Sequence, residues 1–160
     1  MFSIHKNLKY TTLKSKDNFL DNFKKKIFWN KELGIISSRN EYSFKEYEGY
    51  VENNSFTIRR ILKIGANSFI PLIHGIIIKN NDNESIDIQL KIVLQKLTRM
   101  FLLVFNIFLS ILIILLIIAG NIISFVSLVF FILIFFSYIS INFLFELEAK
   151  KADKFFKELL

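Results

Sequence analysis

The chain has 160 residues, a formal net charge of +7 and a hydrophobic content of 52%, which exceeds the usual range for soluble domains. It contains no cysteine, which excludes disulfide bonds, thiolate nucleophiles and cysteine-based metal sites. Only two histidines are present, and no zinc-protease, phosphate-loop, dinucleotide-binding or serine-hydrolase motif occurs. We therefore expect a protein that is not an enzyme and that holds no cofactor and no metal ion.

The beginning of the chain predicts one short strand and one helix. Residues 1–6 lack an apolar run, so we expect no cleavable signal peptide. Residues 9–12 are interpreted as an opening strand. A helix is predicted over 15–27, because Ser15 can cap it, Asp17 lies in its first turn and lysines fill its last turn. Its apolar side chains recur at helical spacing, at Phe19, Leu20, Phe23 and Ile27.

A first β-hairpin is predicted in the middle of the domain. Tyr42–Val51 and Phe56–Ile64 flank Asn53 and Asn54, a pair that tolerates left-handed turn geometry. Strand alternation would place Arg60 on the apolar face, which requires either a bulge or a paired arginine. Residues 33–36, upstream of this hairpin, could form a short extra strand.

A second β-hairpin is predicted directly before the membrane region. Phe69–Ile78 and the alternating segment Ile86–Ile92 flank the polar turn Asn80–Asn83. Pro71 cannot donate a hydrogen bond to a neighbouring strand, so we expect it near the start of its strand or on an edge. The two hairpins together predict a meander of about four antiparallel strands.

No charged residue occurs between Arg99 and Glu146, a stretch of about 46 positions. A hydrocarbon core roughly 30 Å thick is crossed by ~20 helical residues, so this stretch is long enough for two crossings. The helix-weakening residues Ala119, Gly120 and Asn121 lie near its middle. The sequence therefore predicts a transmembrane helical hairpin over 99–145, with spans at about 100–118 and 122–145.

Basic residues flank both predicted spans, and they predict the orientation. They are Lys91, Lys96 and Arg99 before the first span, and Lys150, Lys151, Lys154 and Lys157 after the second. By the positive-inside rule we expect a multi-pass protein of the cell inner membrane with both termini cytoplasmic. The lysines could contact anionic headgroups of the lipid bilayer, which accounts for the net charge without nucleic acid, and no nucleic-acid partner is expected.

The predicted spans hold no ionisable residue, which disfavours a transporter or a proton-coupled channel. Small polar side chains in the spans more often join helices than line a pore, although an oligomeric pore made of several copies stays open. These polar residues are Asn106, Ser110, Ser124, Ser127, Ser137, Ser140 and Asn142.

The tail over 146–160 is amphipathic, with apolar side chains on one side and lysines and acids on the other. It could continue the second span, lie along the inner leaflet, or pack on the sheet. The predicted fold is thus an α+β membrane protein. It has a small cytoplasmic antiparallel β-meander domain over 1–98 with one helix near 15–27, a transmembrane helical hairpin over 99–145, and a C-terminal amphipathic helix over 146–160.

Two short segments carry a resemblance to a family. They read S-F-T-I-R-R-I at 55–61 and N-S-F-I-P-L-I-H-G at 67–75, and the alternating strand and the apolar hairpin follow them. In this order they resemble a group of small uncharacterised bacterial two-pass inner-membrane proteins with an N-terminal β-rich domain. The N-S-F-x-P motif, from Asn67 to Pro71, is the most specific part, whereas Ile64-Gly65-Ala66 departs from the group's pattern. The resemblance implies this architecture and no activity.

Four polar residues beside the apolar strands are the candidate binding residues: Arg59, Arg60, Asn67 and His74. Glu46 and Glu48 lie two apart on a predicted strand and could resemble a catalytic carboxylate pair, but we expect them to form a solvated face.

The favoured hypothesis is a non-catalytic integral membrane protein that presents its β-domain for ligand or partner binding at the inner membrane. One alternative is a membrane-disrupting effector, in which a β-barrel sensor controls homo-oligomerisation of the hairpin. Another is an assembly subunit of a complex with other membrane proteins.

Overall fold

A computed structural model describes residues 5–31, 33, 45–61, 70–80, 85–119 and 125–160. These residues form an α+β fold with one six-stranded sheet and three helices. In chain order the elements are β1 (His5–Thr12), α1 (Lys16–Lys26), β2 (Ile27–Trp29), β3 (Tyr47–Glu52), β4 (Ser55–Arg60), β5 (Leu72–Lys79), β6 (Ile86–Val93), α2 (Lys96–Ile118) and α3 (Phe125–Leu159).

The strands are ordered β1-β6-β5-β4-β3-β2 across the sheet. From β3 to β6 each strand pairs with the next in antiparallel fashion, which confirms the predicted meander. The opening strand β1 pairs antiparallel with β6 and forms one edge of the sheet. The prediction of a purely antiparallel sheet is wrong at the other edge, where β2 runs parallel to β3.

The missed strand β2 has three residues, too few to show the two-residue alternation by which strands are recognised. The apolar stripe predicted for α1 also includes Ile27, so the sequence assigned this residue to the helix. In the structure its backbone is extended, with φ −105° and ψ 152°. A parallel neighbour must be reached by a long connection, so no short turn signals the pairing of β2 with β3.

The other local predictions agree with the structure in the kind and order of the elements. The bounds differ, because β1 begins at His5, four residues before the predicted start, and β3 begins only at Tyr47. Ser15 caps α1 and accepts a hydrogen bond from the Asn18 backbone N–H at 3.3 Å. Asn53 has φ 51° in the turn between β3 and β4. β5 begins directly after Pro71. Parts of the predicted strands and turns lie outside the described residues, at 34–36, 42–44, 62–69 and 81–83.

The two faces of the sheet differ in what covers them. The inner face packs against α1 and the C-terminal part of α3, and it carries Phe56, Ile58, Ile73, Ile77, Ile86, Ile88, Leu90 and Ile92. The outer face carries the alternate residues of the same strands, among them Glu48, Thr57, Arg59, His74 and Ile76. At the centre of the core, the ring of Phe56 lies 4.6 Å from that of Phe23 and 5.7 Å from that of Phe156, between centroids.

The helices α2 and α3 are each long and apolar enough to cross a membrane, with 23 and 35 residues. Where they face each other, the Ser137 hydroxyl lies 3.4 Å from the Asn106 side-chain oxygen. The turn predicted at 119–121 is described only as far as Ala119.

The tail does not form a separate helix over 146–160, because α3 runs without interruption from Phe125 to Leu159. The sequence left three placements of the tail open, and the structure combines two of them. The tail continues the second apolar helix, and it packs on the sheet. Its buried side chains lie on one side of the helix, at Ala149, Ala152, Phe155, Phe156 and Leu159, and Phe145 just before the tail extends that side. A 35-residue helix is about 52 Å long, so one rigid element joins the apolar hairpin to the β-domain.

Candidate functional site

The most deeply buried polar group in the described residues is an ion pair on the outer face of the sheet. Glu48 and Arg59 face each other across the β3–β4 hairpin, with side chains 0% and 1% exposed. Both Nε and Nη2 of Arg59 lie 2.6 Å from Oε1 of Glu48. Asn30, just after β2, donates to Oε2 of Glu48 at 3.1 Å. This cluster joins three strands, and its hydrogen bonds offset part of the large cost of burying two charges.

The neighbouring Arg60 faces the other side of the sheet, because successive residues of a strand alternate between its faces. It donates two hydrogen bonds to Glu148 of α3, at 2.6 Å from Nε and 2.7 Å from Nη2. Lys151 adds a third at 2.9 Å. Of the two predicted solutions for an arginine on the apolar face, the structure therefore contains the paired arginine, and its partner is the tail helix.

Glu148 has its pKa shifted by two opposing effects. Partial burial disfavours the charged carboxylate, but the hydrogen bonds from Arg60 and then from Lys151 outweigh it, so the pKa of Glu148 is lowered. The same interaction with Glu148 raises the pKa of Arg60. The pair is thus fully ionised at neutral pH and bridges β4 to α3.

His74 lies on the outer face, on β5. Its Nδ1 is 3.0 Å from the Thr57 hydroxyl on the adjacent strand. Desolvation of the ring, and secondly the positive charge of Lys91 on β6, lower the pKa of His74 below its ordinary value. The imidazole is therefore neutral at pH 7, where one ring nitrogen can donate a hydrogen bond and the other can accept one.

The four candidate residues do not converge on one point. Arg59 is enclosed on the outer face, Arg60 is bonded to α3 on the inner face, and His74 lies on the outer face two strands away from Glu48. Asn67 lies outside the described residues. A ligand that contacts both arginines would have to reach through the sheet, so the two arginines belong to different sites.

Glu48 corrects one expectation of the sequence analysis. It was expected on a solvated face with Glu46, whereas its side chain is fully buried against Arg59. A signal for this pairing exists in the sequence. Around a two-residue turn at Asn53 and Asn54, Glu48 and Arg59 are equidistant from the turn, and opposite residues in a hairpin form pairs. The partnership of Arg60 with Glu148 has no such signal, because the two are 88 positions apart.

Within the part of the chain that the structure describes, no group of three or more histidine, aspartate or glutamate side chains could hold a metal ion. The polar clusters instead tie strands to each other and the sheet to α3. On the outer face of β5, His74, Ile76 and Ile78 stay exposed.

No protein-family model, no curated protein and no solved structure matches the chain. Its fold and its site must therefore be interpreted from its own residues, and the resemblance drawn from the N-S-F-x-P motif stays a prediction.

Proposed function

We propose that this chain is a non-catalytic, two-pass protein of the bacterial inner membrane. Its helical hairpin anchors a small cytoplasmic β-domain, and the outer face of the sheet binds a ligand or protein partner at the membrane surface. The observation that carries the proposal is α3, one helix that is apolar in its first two-thirds and closes the β-domain with its last third.

The membrane part of the proposal is supported by what surrounds α2 and α3. In their most apolar segments only 11% and 6% of the residues are buried within the protein. The core helix of a soluble protein would instead be mostly buried. Apolar side chains left uncovered on this scale require an apolar environment, and a bilayer supplies it along the full length of both helices.

The second support is that α1 and the tail cover the inner face of the sheet in the part of the chain that the structure describes. Phe155 and Phe156 of α3 pack on it, with Phe156 fully buried. Polar contacts along the same helix hold it in place: Tyr10 donates to Asp153 at 2.5 Å, and Lys6 pairs with Glu146 at 2.6 Å. The tail thus completes the domain, and recognition is left to the other side of the sheet.

The outer face offers both apolar and polar groups in one place. Ile76 and Ile78 of β5 are 52% and 43% exposed, and His74 lies on the same strand and the same face. The buried core of a protein interface is apolar and poor in charged residues, and a few hydrogen bonds accompany it. This combination favours binding, and nothing in it favours bond-making chemistry.

The proposal is tested by the mass of the native complex after mild detergent extraction. We expect wild-type protein to carry a bound ligand or partner, and the Ile76→Glu variant to lose it, because a carboxylate on the outer face disrupts an apolar contact. Leu13→Glu is the matched control, since Leu13 is 87% exposed in the turn between β1 and α1. A bare monomer for wild type, or equal loss in both variants, contradicts binding by this face.

The same measurement separates the alternatives. A defined homo-oligomer without other components would favour the membrane effector. A stoichiometric complex that contains other membrane proteins, and that persists in the Ile76→Glu variant, would favour the assembly subunit.

A further inference from the structure

A shallow groove, open to its surroundings, lies between α2 and α3, close to the start of α2. On α2 it is lined by Arg99, Leu102 and Asn106, which share one face of the helix because they are three and seven residues apart. Ser137 and Ile141 of α3 line the opposite wall. The groove therefore follows the seam between the two apolar helices.

Of the described residues that line this groove, Arg99 alone is charged. Its Nε is buried and has no hydrogen-bond partner within the described part of the chain. The acids of α3 nearest to the apolar region are already paired, Glu146 with Lys6 and Glu148 with Arg60 and Lys151. A buried arginine nitrogen without an acceptor is costly, and Arg99 as a whole is only partly buried, so an anion in the groove would stabilise its guanidinium.

The deeper polar groups of the groove are satisfied by the helices themselves. The Asn106 amide donates to the Leu102 carbonyl oxygen at 2.7 Å, and the Ser137 hydroxyl donates to the Ile134 carbonyl oxygen at 2.8 Å. Among the described residues, the groove thus presents at its mouth one cationic side chain whose Nε has no hydrogen-bond partner, and a predominantly apolar lining.

If the hairpin spans the bilayer, as the proposed function requires, the position of Arg99 determines how deep in the bilayer the mouth of the groove lies. From Arg99 to Ile118, α2 is about 30 Å long, the thickness of a hydrocarbon core, so the guanidinium lies at the level of the lipid phosphates. The first turn of α2 also contains no acidic residue, and Gln95 makes no capping side-chain hydrogen bond there. The positive end of the helix therefore adds to the charge of Arg99.

We infer that this groove is a binding site for one anionic phospholipid, with its phosphate on Arg99 and an acyl chain between α2 and α3. The inference rests on the proposed membrane insertion. It assigns Arg99 a localised contact, distinct from the diffuse attraction between surface lysines and a charged leaflet.

The test is a lipid titration of the full-length protein in non-ionic detergent, followed by native mass spectrometry. We expect wild type to bind one dioleoylphosphatidylglycerol in preference to dioleoylphosphatidylcholine. Arg99→Gln should weaken phosphatidylglycerol binding about tenfold, the effect expected for losing a hydrogen bond to a charged group. Lys96→Gln, which removes the same charge three residues earlier in α2, is the matched control and should change binding less than twofold.

Two further arms separate the source of the phosphate and the role of the groove. Leu102→Trp should fill the groove and weaken lipid binding while Arg99 is retained. Soluble glycerol phosphate should not compete with the lipid. Competition by glycerol phosphate, equal losses for Arg99→Gln and Lys96→Gln, or unchanged binding in both groove variants would each overturn the inference.

Alkaline carbonate extraction distinguishes this failure from failure of the proposed function. If wild type stays in the membrane pellet while the groove variants bind lipid normally, the lipid site alone is wrong. If carbonate releases wild type, membrane insertion itself is wrong and the site falls with it.

Discussion

The buried pair of Glu48 and Arg59 should dominate the stability of the β-domain at the level of single residues. Replacing Arg59 by Met leaves a fully buried carboxylate without its cation, which should cost about 3–5 kcal/mol. The double variant Glu48→Leu, Arg59→Met should recover much of this loss, because well-packed apolar groups often replace a buried pair at little cost. Trp29, the single tryptophan, is the last residue of β2 and precedes Asn30, which donates a hydrogen bond to Glu48. Its fluorescence can therefore report unfolding. A double variant less stable than Arg59→Met would contradict this account.

The pair of Arg60 and Glu148 makes a prediction about pH. The pKa of Glu148 is lower in the folded state than in the unfolded chain. The ionised carboxylate therefore stabilises the fold fully above the ordinary glutamate pKa of about 4.3. This stabilisation is lost as the pH falls through the lower pKa of the folded state. Glu148→Gln should therefore destabilise the domain by roughly 1–3 kcal/mol at pH 7, and the difference from wild type should shrink below pH ~4. Unfolding midpoints measured across this range test it.

Glu158→Gln is the matched control for this pH series. Glu158 also belongs to the tail, but its side chain is 59% exposed and lies 3.8 Å from Lys154. Exposed pairs of this kind contribute between about 0 and 1 kcal/mol, so this variant should follow wild type at every pH. A pH-independent gap between Glu148→Gln and wild type would assign the effect to packing.

At the residue scale, the sequence predicted local relations better than distant ones. It placed Arg60 on the apolar face and required a partner for it, since alternation within a strand is a local property. It could not name Glu148, because that contact depends on how a distant helix docks. The sequence analysis also predicted a solvent-exposed Glu48, although the hairpin register around Asn53 and Asn54 pairs Glu48 with Arg59.

At the scale of elements, the continuity of α3 is the feature that links the two halves of the protein, and it can be measured directly. The chain has no cysteine, so labels can be placed at Leu128→Cys and Lys154→Cys without removing native thiols. Both positions are exposed, and 26 residues of uninterrupted helix separate them by about 39 Å. Pulsed electron-spin distance measurements should show one narrow distribution near that value, after allowance for the label arms.

Phe143→Pro provides the contrast for this measurement. Phe143 is 63% exposed near the junction of the apolar and amphipathic parts, so the substitution breaks the helix by removing a backbone donor without disturbing the core. The distance distribution should broaden or shorten, whereas Phe143→Ala should leave it unchanged. A broad distribution in the unbroken helix would show that the hairpin and the β-domain move independently.

The elements that the sequence predicted are those with strong local patterns. β6 alternates over its whole length and α1 carries a cap, a charge bias and an apolar stripe, so each could be recognised alone. β2 has three residues and takes its structure from pairing with β3, which no local pattern encodes. The tail was recognised as amphipathic, and its continuation of the second apolar helix was one of three placements that the sequence left open.

For the whole molecule, the arrangement of charge around the two apolar helices predicts which parts of the chain lie on each side of a membrane. Basic residues lie just before α2, in its first turn, and after the apolar part of α3, while the region between the helices has no charge. By the positive-inside rule, we expect the β-domain and the tail to share the cytoplasmic side. Single-cysteine variants Lys9→Cys, Ala119→Cys and Lys154→Cys can therefore map the topology with a membrane-impermeant maleimide.

In intact spheroplasts we expect the maleimide to label Ala119→Cys only, and to label the other two variants only after lysis. The cysteine-free wild type gives the blank, which makes weak labelling interpretable. Labelling of Lys9→Cys and Lys154→Cys but not of Ala119→Cys would invert the orientation and move the outer face of the sheet out of the cytoplasm. Labelling of all three before lysis would mean that the hairpin does not separate two compartments. The exposed apolar side chains of α2 and α3 would then need another cover. The core of the β-domain cannot provide it, because Phe145 is the first residue of α3 that belongs to that core.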